Sequence, residues 1–150
     1  MQRIVIVVSV TFLILCLGGG VFVYSVYVKA TGPSLGAPDV AADGFLREFL
    51  VNRNDTRANG YVCRTGADLT EIRALRSDVI AREKQFNISV SVTWGPLAVR
   101  QSGGAADVTL TIKVDVPEAN GATSESAQQW SLSLRQDSGW RVCGAHRAGT

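Results

Sequence analysis

An uncharged run at the front of the chain constrains it most. From Ile4 to Val28, 25 residues pass without an Asp, Glu, Lys or Arg. A hydrocarbon core of about 30 Å needs roughly 20 helical residues, so this run spans it with length left for tilt. Arg3 precedes it, Lys29 closes it, and Tyr24 and Tyr27 lie near one end, where ring-and-hydroxyl side chains suit a membrane interface. A cleaved signal peptide competes, because Val28-Lys29-Ala30 resembles a small-residue cleavage site. Its apolar region, however, is usually only about 7–15 residues. Lipidation of Cys16 is a third reading, opposed by Leu15 where a small residue is wanted. The expectation is one uncleaved span at 4–28, with a cytoplasmic stub at 1–3. The run also accounts for much of the chain's 46% hydrophobic content against 19% charged. The chain beyond Val28 is long enough for one domain with a core and too short for two.

Two cysteines lie outside the run, Cys63 and Cys143, with no pair at metal-ligand spacing. In a small domain beyond a membrane they read as a disulfide. The expected topology is amino terminus inside and domain outside, in agreement with Arg3 as a positive-inside signal. Thr31 to Pro38, rich in Gly, Pro and Ser, is the linker closing the stretch 29–38. The domain is expected over 39–146, with a tail at 147–150.

Within the domain the hydrophobic period changes once. Ala42, Phe45, Leu46, Phe49 and Leu50 recur at helical spacing, giving a helix from about Pro38 to Asn52 that Asp39 can cap. Asn54-Asp55-Thr56 starts a short helix or turn carrying Tyr61, Val62 and Cys63. Asp68 with Glu71 resembles a capping box ahead of a helix lined by Leu69, Ile72, Leu75, Val79 and Ile80. Arg73, Arg76, Asp78, Arg82 and Glu83 occupy its other face, which reads as solvated.

After Gln85 the period becomes 2. Phe86, Ile88, Val90, Val92 and Trp94 alternate with polar residues in a first strand that Gly95-Pro96 interrupts, and Gln101 to Gly104 reads as a turn. Ala106 to Val116 forms a second strand, and Pro117 to Thr123 a polar loop. Trp130, Leu132 and Leu134 mark a third strand, and Trp140 and Val142 a fourth after the turn Asp137-Ser138-Gly139. The fold class is therefore α+β, about three helices packed on a curved antiparallel sheet of about four strands. Strict alternation turns Cys143 away from Trp140 and Val142. A bulge near the strand's end, or a bridge formed outside the main core, reconciles them.

This order of elements resembles the nuclear transport factor 2-like superfamily over about Asp39 to Ala145. The resemblance rests on Phe45-Leu46 with Phe49-Leu50, on Tyr61-Val62-Cys63, and on the ending Gly139-Trp140-Arg141-Val142-Cys143. Such an ending behind a single anchor looks like the exported, membrane-anchored members of actinobacteria, including proteins grouped with mammalian-cell-entry (Mce) transport loci. An excess of arginine, 12 Arg to 3 Lys, suits a GC-rich genome. The resemblance implies a cone-shaped domain. Enzymes of the fold place an aspartate base with tyrosine donors, or aspartate, histidine and arginine, inside the cone.

Here the inward positions of the strands carry no ionisable residue, and no catalytic constellation emerges. Asp107, Lys113 and Asp115 fall on the polar face, where a solvated reading suffices. The core or cavity candidates are Phe45, Phe49, Tyr61, Leu75 and Trp94 on the first half of the domain. Leu110, Trp130, Leu132 and Trp140 complete them on the second. His146, the only histidine, reads as part of a frayed tail, so no catalytic residue, metal set or cofactor is expected. Gly18-Gly19-Gly20 lies inside the apolar run and Gly103-Gly104 in a hairpin, so neither cradles phosphate.

Net charge is +2, and the densest basic stretch, Arg53 to Lys84, interleaves seven bases with five acids. Nucleic acid is not an expected partner, although near a membrane this face can meet anionic headgroups. Asn54-Asp55-Thr56 and Asn87-Ile88-Ser89 match the glycosylation sequon, which matters only in a eukaryotic secretory route. The functional expectation is a non-enzymatic, single-pass accessory protein whose extracytoplasmic domain docks a protein partner or an apolar ligand in an envelope assembly. The alternatives are a small exported isomerase or hydrolase-like enzyme, or a subunit of a type IV secretion or conjugation-like assembly.

Overall fold

The computed structural model describes residues 34–118 and 121–149. The run Ile4–Val28, Cys16 and linker residues 29–33 lie outside the described residues, as do 119, 120 and 150. Among the described residues no helix is long and apolar enough to cross a membrane.

Pro38 opens α1 (Pro38–Leu46), a position where the missing proline N–H has no helical partner to lose. The expected cap by Asp39 is not made. Ala37 holds the cap position without a side-chain bond, and Asp39 sits inside the first turn, where its charge suits the helix dipole. The helix runs on into a π-helical turn, Arg47–Val51, and buries Ala41, Ala42, Phe45, Leu46, Phe49 and Leu50. Next comes α2 (Asp55–Asn59), capped by the Asn54 side chain, which accepts the Arg57 N–H at 3.0 Å.

The third helix, α3 (Thr70–Phe86), buries Ile72, Leu75 and Val79. The expected capping box does not form there. Asp68 Oδ1 accepts the Thr70 N–H at 3.1 Å, but Glu71 turns away to a strand. At the far end α3 runs through Phe86, which corrects the strand expected from that residue. Asn87 stops the helix in the left-handed region, φ 52°, and Phe86 is left 61% exposed. An unbroken alternation from 86 to 94 conceals this, because asparagine tolerates that conformation and ends helices there.

The strands are β1 (Ser91–Trp94), β2 (Ala98–Ser102), β3 (Ala105–Pro117), β4 (Thr123–Gln136) and β5 (Trp140–Arg147). They form one antiparallel sheet of five strands, one more than expected, in the order β1-β3-β4-β5, with β2 also pairing β3. The additional strand is β2, exposed at every residue and so lacking the alternation that marks a buried face. β1 pairs Ile112 to Asp115, and β2 pairs Ala105 to Thr109, along the same edge of β3. Gly95-Pro96 is the step between them, with Gly95 N–H donating to Thr111 O at 3.0 Å. β4 also starts earlier than expected. Thr123 to Ala127 are exposed, so no hydrophobic pattern announces them.

Trp130, Phe45, Leu46, Ile72, Ile112, Leu132 and Leu134 are fully buried where the helices meet the sheet. Opposite Ser133 and Leu134 the register of β5 slips: Ser133 pairs Gly144 and Leu134 pairs Val142, leaving Cys143 as the extra residue of a bulge. The bulge shifts the alternation by one, so Val142, Cys143 and Ala145 are all buried. This is the first of the two reconciliations open on sequence grounds.

Candidate functional site

The 61–71 segment lies along the outer edge of β5 and satisfies its backbone. Val142 N–H donates to Tyr61 O at 2.8 Å, and Cys63 N–H to Val142 O at 2.9 Å. Asp68 N–H donates to Cys143 O at 2.8 Å, and Ala145 N–H to Asp68 O at 3.1 Å. Beyond them Arg147 N–H donates to Glu71 Oε2 at 2.8 Å, and Glu71 Oε1 lies 3.3 Å from His146 Nδ1. His146 is thus a strand residue paired with Ser131, not part of a frayed tail. The Arg147 N–H and then His146 hold the Glu71 carboxyl below the usual carboxylate range. The Thr70 N–H does the same for Asp68. Cys63 and Cys143 are joined by a disulfide across this seam, with Cα atoms 5.0 Å apart.

Gly44 and Gly139 each allow a close approach. A Cβ on Gly44 of α1 would stand 2.5 Å from the Tyr61 ring, so only glycine lets that ring lie against the helix. Gly139, at φ 117°, turns the chain into β5 against Leu35, whose carbonyl accepts the Trp140 N–H at 2.9 Å.

A groove of about 510 Å³ opens among α1, α2 and α3. Its floor is apolar. Phe45 and Phe49 stack with ring centroids 5.3 Å apart and planes 12° from parallel, and both are buried, as is Leu69, so Val62 and Ile80 supply the open apolar part of the lining. Its rim is charged. The Arg76 guanidinium lies over the Phe49 ring, 4.7 Å from the centroid, and is ion-paired with Asp55. It also donates to Arg53 O at 3.4 Å. The Arg76 hydrogen bond holds the Asp55 carboxyl below its usual range, assisted by the charges of Arg76 and Arg73. Beside the groove Arg53 pairs with Glu83 at 2.7 Å, which lowers the Glu83 pKa, and Glu83 also accepts the Val90 N–H at 3.0 Å. Arg73, on the same rim, is exposed and makes no ion pair among the described residues.

The nine residues expected in a core or cavity do not converge on one hollow. Phe45, Trp130 and Leu132 are fully buried, Phe49, Leu75, Leu110 and Trp140 are buried, and Tyr61 and Trp94 are partly buried against the same core. Phe45 and Phe49 face the helical groove, whereas Leu110 and Trp130 border a separate hollow of about 330 Å³ beside Gly95-Pro96. Leu75 borders a small one of about 70 Å³ between α3 and the distal halves of β3 and β4. Trp94 Nε1 donates to Asp43 Oδ1 at 2.9 Å, tying β1 to α1. No described residue in the buried class is polar or charged. Among the described residues no three His, Cys, Asp or Glu side chains are grouped to hold a metal ion.

Sequence reasoning misses the groove's charged rim. Arg73 and Arg76 are spaced as a solvated helical stripe, and nothing local shows that α2 brings Asp55 up to them. It also misses three buried atoms without a hydrogen-bond partner, Glu48 Oε2, Gln128 Oε1 and Trp130 Nε1.

No protein-family model and no curated protein matches the sequence. Solved structures do match. A protein assigned as a calcium/calmodulin-dependent protein kinase type II association domain, from Thiobacillus denitrificans, aligns at 13% identity over 79% of this chain and 98% of its own, with a TM-score of 0.56. A protein assigned as a ketosteroid isomerase, from Shewanella frigidimarina, aligns at 15% identity over 77% and 98%, with a TM-score of 0.52. A nuclear transport factor 2-like superfamily protein from Salmonella enterica aligns at 22% identity over 41% of this chain and 46% of its own, with a TM-score of 0.33. That last match spans less than half of the Salmonella chain. At these identities the likeness is one of fold. The domain is α+β, about three helices on a five-stranded antiparallel sheet, and it shares this fold with the Thiobacillus and Shewanella proteins.

Proposed function

We propose that the chain is a membrane-held binding module: the run Ile4–Val28 anchors it, and the domain, outside the membrane, docks a partner or ligand in an envelope assembly. The observation that carries this reading is the groove among the helices, apolar in its floor and charged at its rim. Sites that bind small molecules or side chains combine these two features at volumes of about 300–1,000 Å³. The inward positions of the sheet are packed with apolar side chains, which leaves recognition to the outside of the domain. Proteins of this fold include association domains and isomerase-like proteins, so binding or self-association is the coarse function that the fold supports. The uncharged run supports the anchored placement, and the disulfide supports an oxidising compartment.

Site-specific photocrosslinking tests the reading. A benzophenone side chain replaces Ser77, on the groove, or Lys113, on the outer face of the sheet, in the full chain within native membranes. Adducts from position 77 and none from 113 are expected. Adducts from 113 alone, or from neither position, contradict the docking role.

A further inference from the structure

The outer face of the sheet brings together three side chains that the docking reading does not use. Register sets Ser131 opposite His146 and Ser133 opposite Gly144, all on the face turned away from the buried Leu132, Leu134, Val142 and Ala145. A glycine inside a strand packs nothing of its own and marks a close approach. At Gly144 a Cβ would stand 2.6 Å from Ser133 Oγ and 3.1 Å from His146 Nε2. The serine hydroxyl and the imidazole therefore share one methyl-sized space, which glycine leaves to them. On the other side of the ring, Nδ1 lies 3.3 Å from Glu71 Oε1, while the Arg147 N–H holds Glu71 Oε2 at 2.8 Å. A carboxylate only accepts hydrogen bonds. It selects the Nδ1–H form of the neutral imidazole and leaves the Nε2 lone pair on the side of Ser133.

Glu71, His146 and Ser133 thus stand in the order carboxylate, imidazole, hydroxyl, in which an oriented base makes a serine nucleophilic. We propose that they form an acyl-transfer site for small activated esters, with Ser133 as nucleophile, His146 as general base and Glu71 as the positioning residue. The His146 and Glu71 side chains are 46% and 45% exposed, so ester and water reach the site from solvent. An open face grips no large acyl group, which limits the substrate to small esters with a good leaving group. In the first step Ser133 Oγ bonds to the ester carbonyl carbon while His146 Nε2 takes the hydroxyl proton. The bond to the leaving oxygen breaks, and His146 returns the proton to that oxygen. In the second step a water attacks the acyl-serine, His146 takes its proton and passes it to Ser133 Oγ, and the carboxylic acid leaves. None of the three residues lines the groove, so the site goes beyond the docking reading and does not depend on it.

The test treats the full chain in neutral detergent with a fluorophosphonate, which captures serines activated in this way, and locates the adduct by peptide mass spectrometry. Hydrolysis of p-nitrophenyl acetate is followed in parallel. The adduct is expected on Ser133, and Ser133→Ala is expected to bring hydrolysis down to the uncatalysed rate. His146→Gln should slow both labelling and hydrolysis about 100-fold. Ser131→Ala, which removes the neighbouring hydroxyl, should keep the adduct on Ser133. His146 is the chain's only histidine, so its ring-nitrogen NMR signals report the tautomer without ambiguity. The parent is expected to show Nδ1–H, and Glu71→Ala to lose that preference together with kcat at unchanged KM. No adduct, an adduct on another serine instead, labelling unchanged in His146→Gln, or an Nε2–H tautomer in the parent overturns the proposal.

Discussion

The seam along β5 and the groove among the helices are built from the same segments and treated in opposite ways. At the seam, Tyr61, Cys63, Asp68 and Glu71 engage the strand edge at successive points, and the disulfide lies across it. Strand edges left open recruit other chains, so covering this one commits β5 to the fold. In the groove the polar contacts are ion pairs with exposed partners, Asp55 above all, over an aromatic floor. Exposed ion pairs contribute little to stability and are readily exchanged for other partners. The seam is a scaffold, and the groove has the character of a recognition surface.

The largest expected effect falls on the seam. Replacing both Cys63 and Cys143 with alanine removes a closure across 80 residues of sequence, which the chain-entropy model values at about 4.5 kcal/mol as an upper figure. Urea unfolding of the full chain in detergent, followed by tryptophan emission, is expected to show a loss of several kcal/mol, and a change of well under 1 kcal/mol would contradict the assignment. Gly44→Ala comes next. Its Cβ overlaps the Tyr61 ring, and overpacking of this kind costs about 1–3 kcal/mol in the same measurement.

Acid sensitivity tests the seam's side-chain contacts. Folding lowers the Glu71 and Asp68 pKa values, so their contribution is complete above the ordinary carboxylate range and is lost as pH falls through the lowered values. Glu71→Gln is expected to reduce stability at neutral pH and to flatten its decline below about pH 4. An unchanged acid limb would mean that the Arg147 and His146 contacts do not form. The smallest effect belongs to Arg73→Gln, at an exposed position, whose stability should match the parent within about 0.5 kcal/mol. A large loss of stability there would make the rim structural and erase the distinction.

These two regions also differ in how far the sequence reveals them. Cys63 and Cys143 stand out as the two cysteines beyond the apolar run, and the parity of Cys143 against Trp140 and Val142 already demands either a bulge or a detached bridge. Most of the core is legible for the same reason: periods of 3.6 and 2 are local, and burial follows them. Phe86 misleads because one residue, Asn87, switches helix to strand inside an unbroken alternation. β2 escapes notice because an edge strand exposed at every residue has no buried face to imprint a pattern. The groove is the least legible feature. It exists only where α2 crosses α1 and α3, bringing Asp55 to an arginine 21 residues away. Glu71 shows the same limit, since its spacing from Asp68 suits a cap but its partners are 75 and 76 residues distant.

Backbone hydrogen exchange of the full chain, compared between neutral detergent and native membranes, tests the division of labour most directly. The β5 amides, Val142, Ala145 and Arg147 among them, are predicted to be slow and unchanged in both settings. Protection should rise in the native membranes at α2 and along the groove-facing turns of α1 and α3. Protection that rises instead on β5 or the outer strands, or that changes nowhere, would contradict the assignment of recognition to the groove.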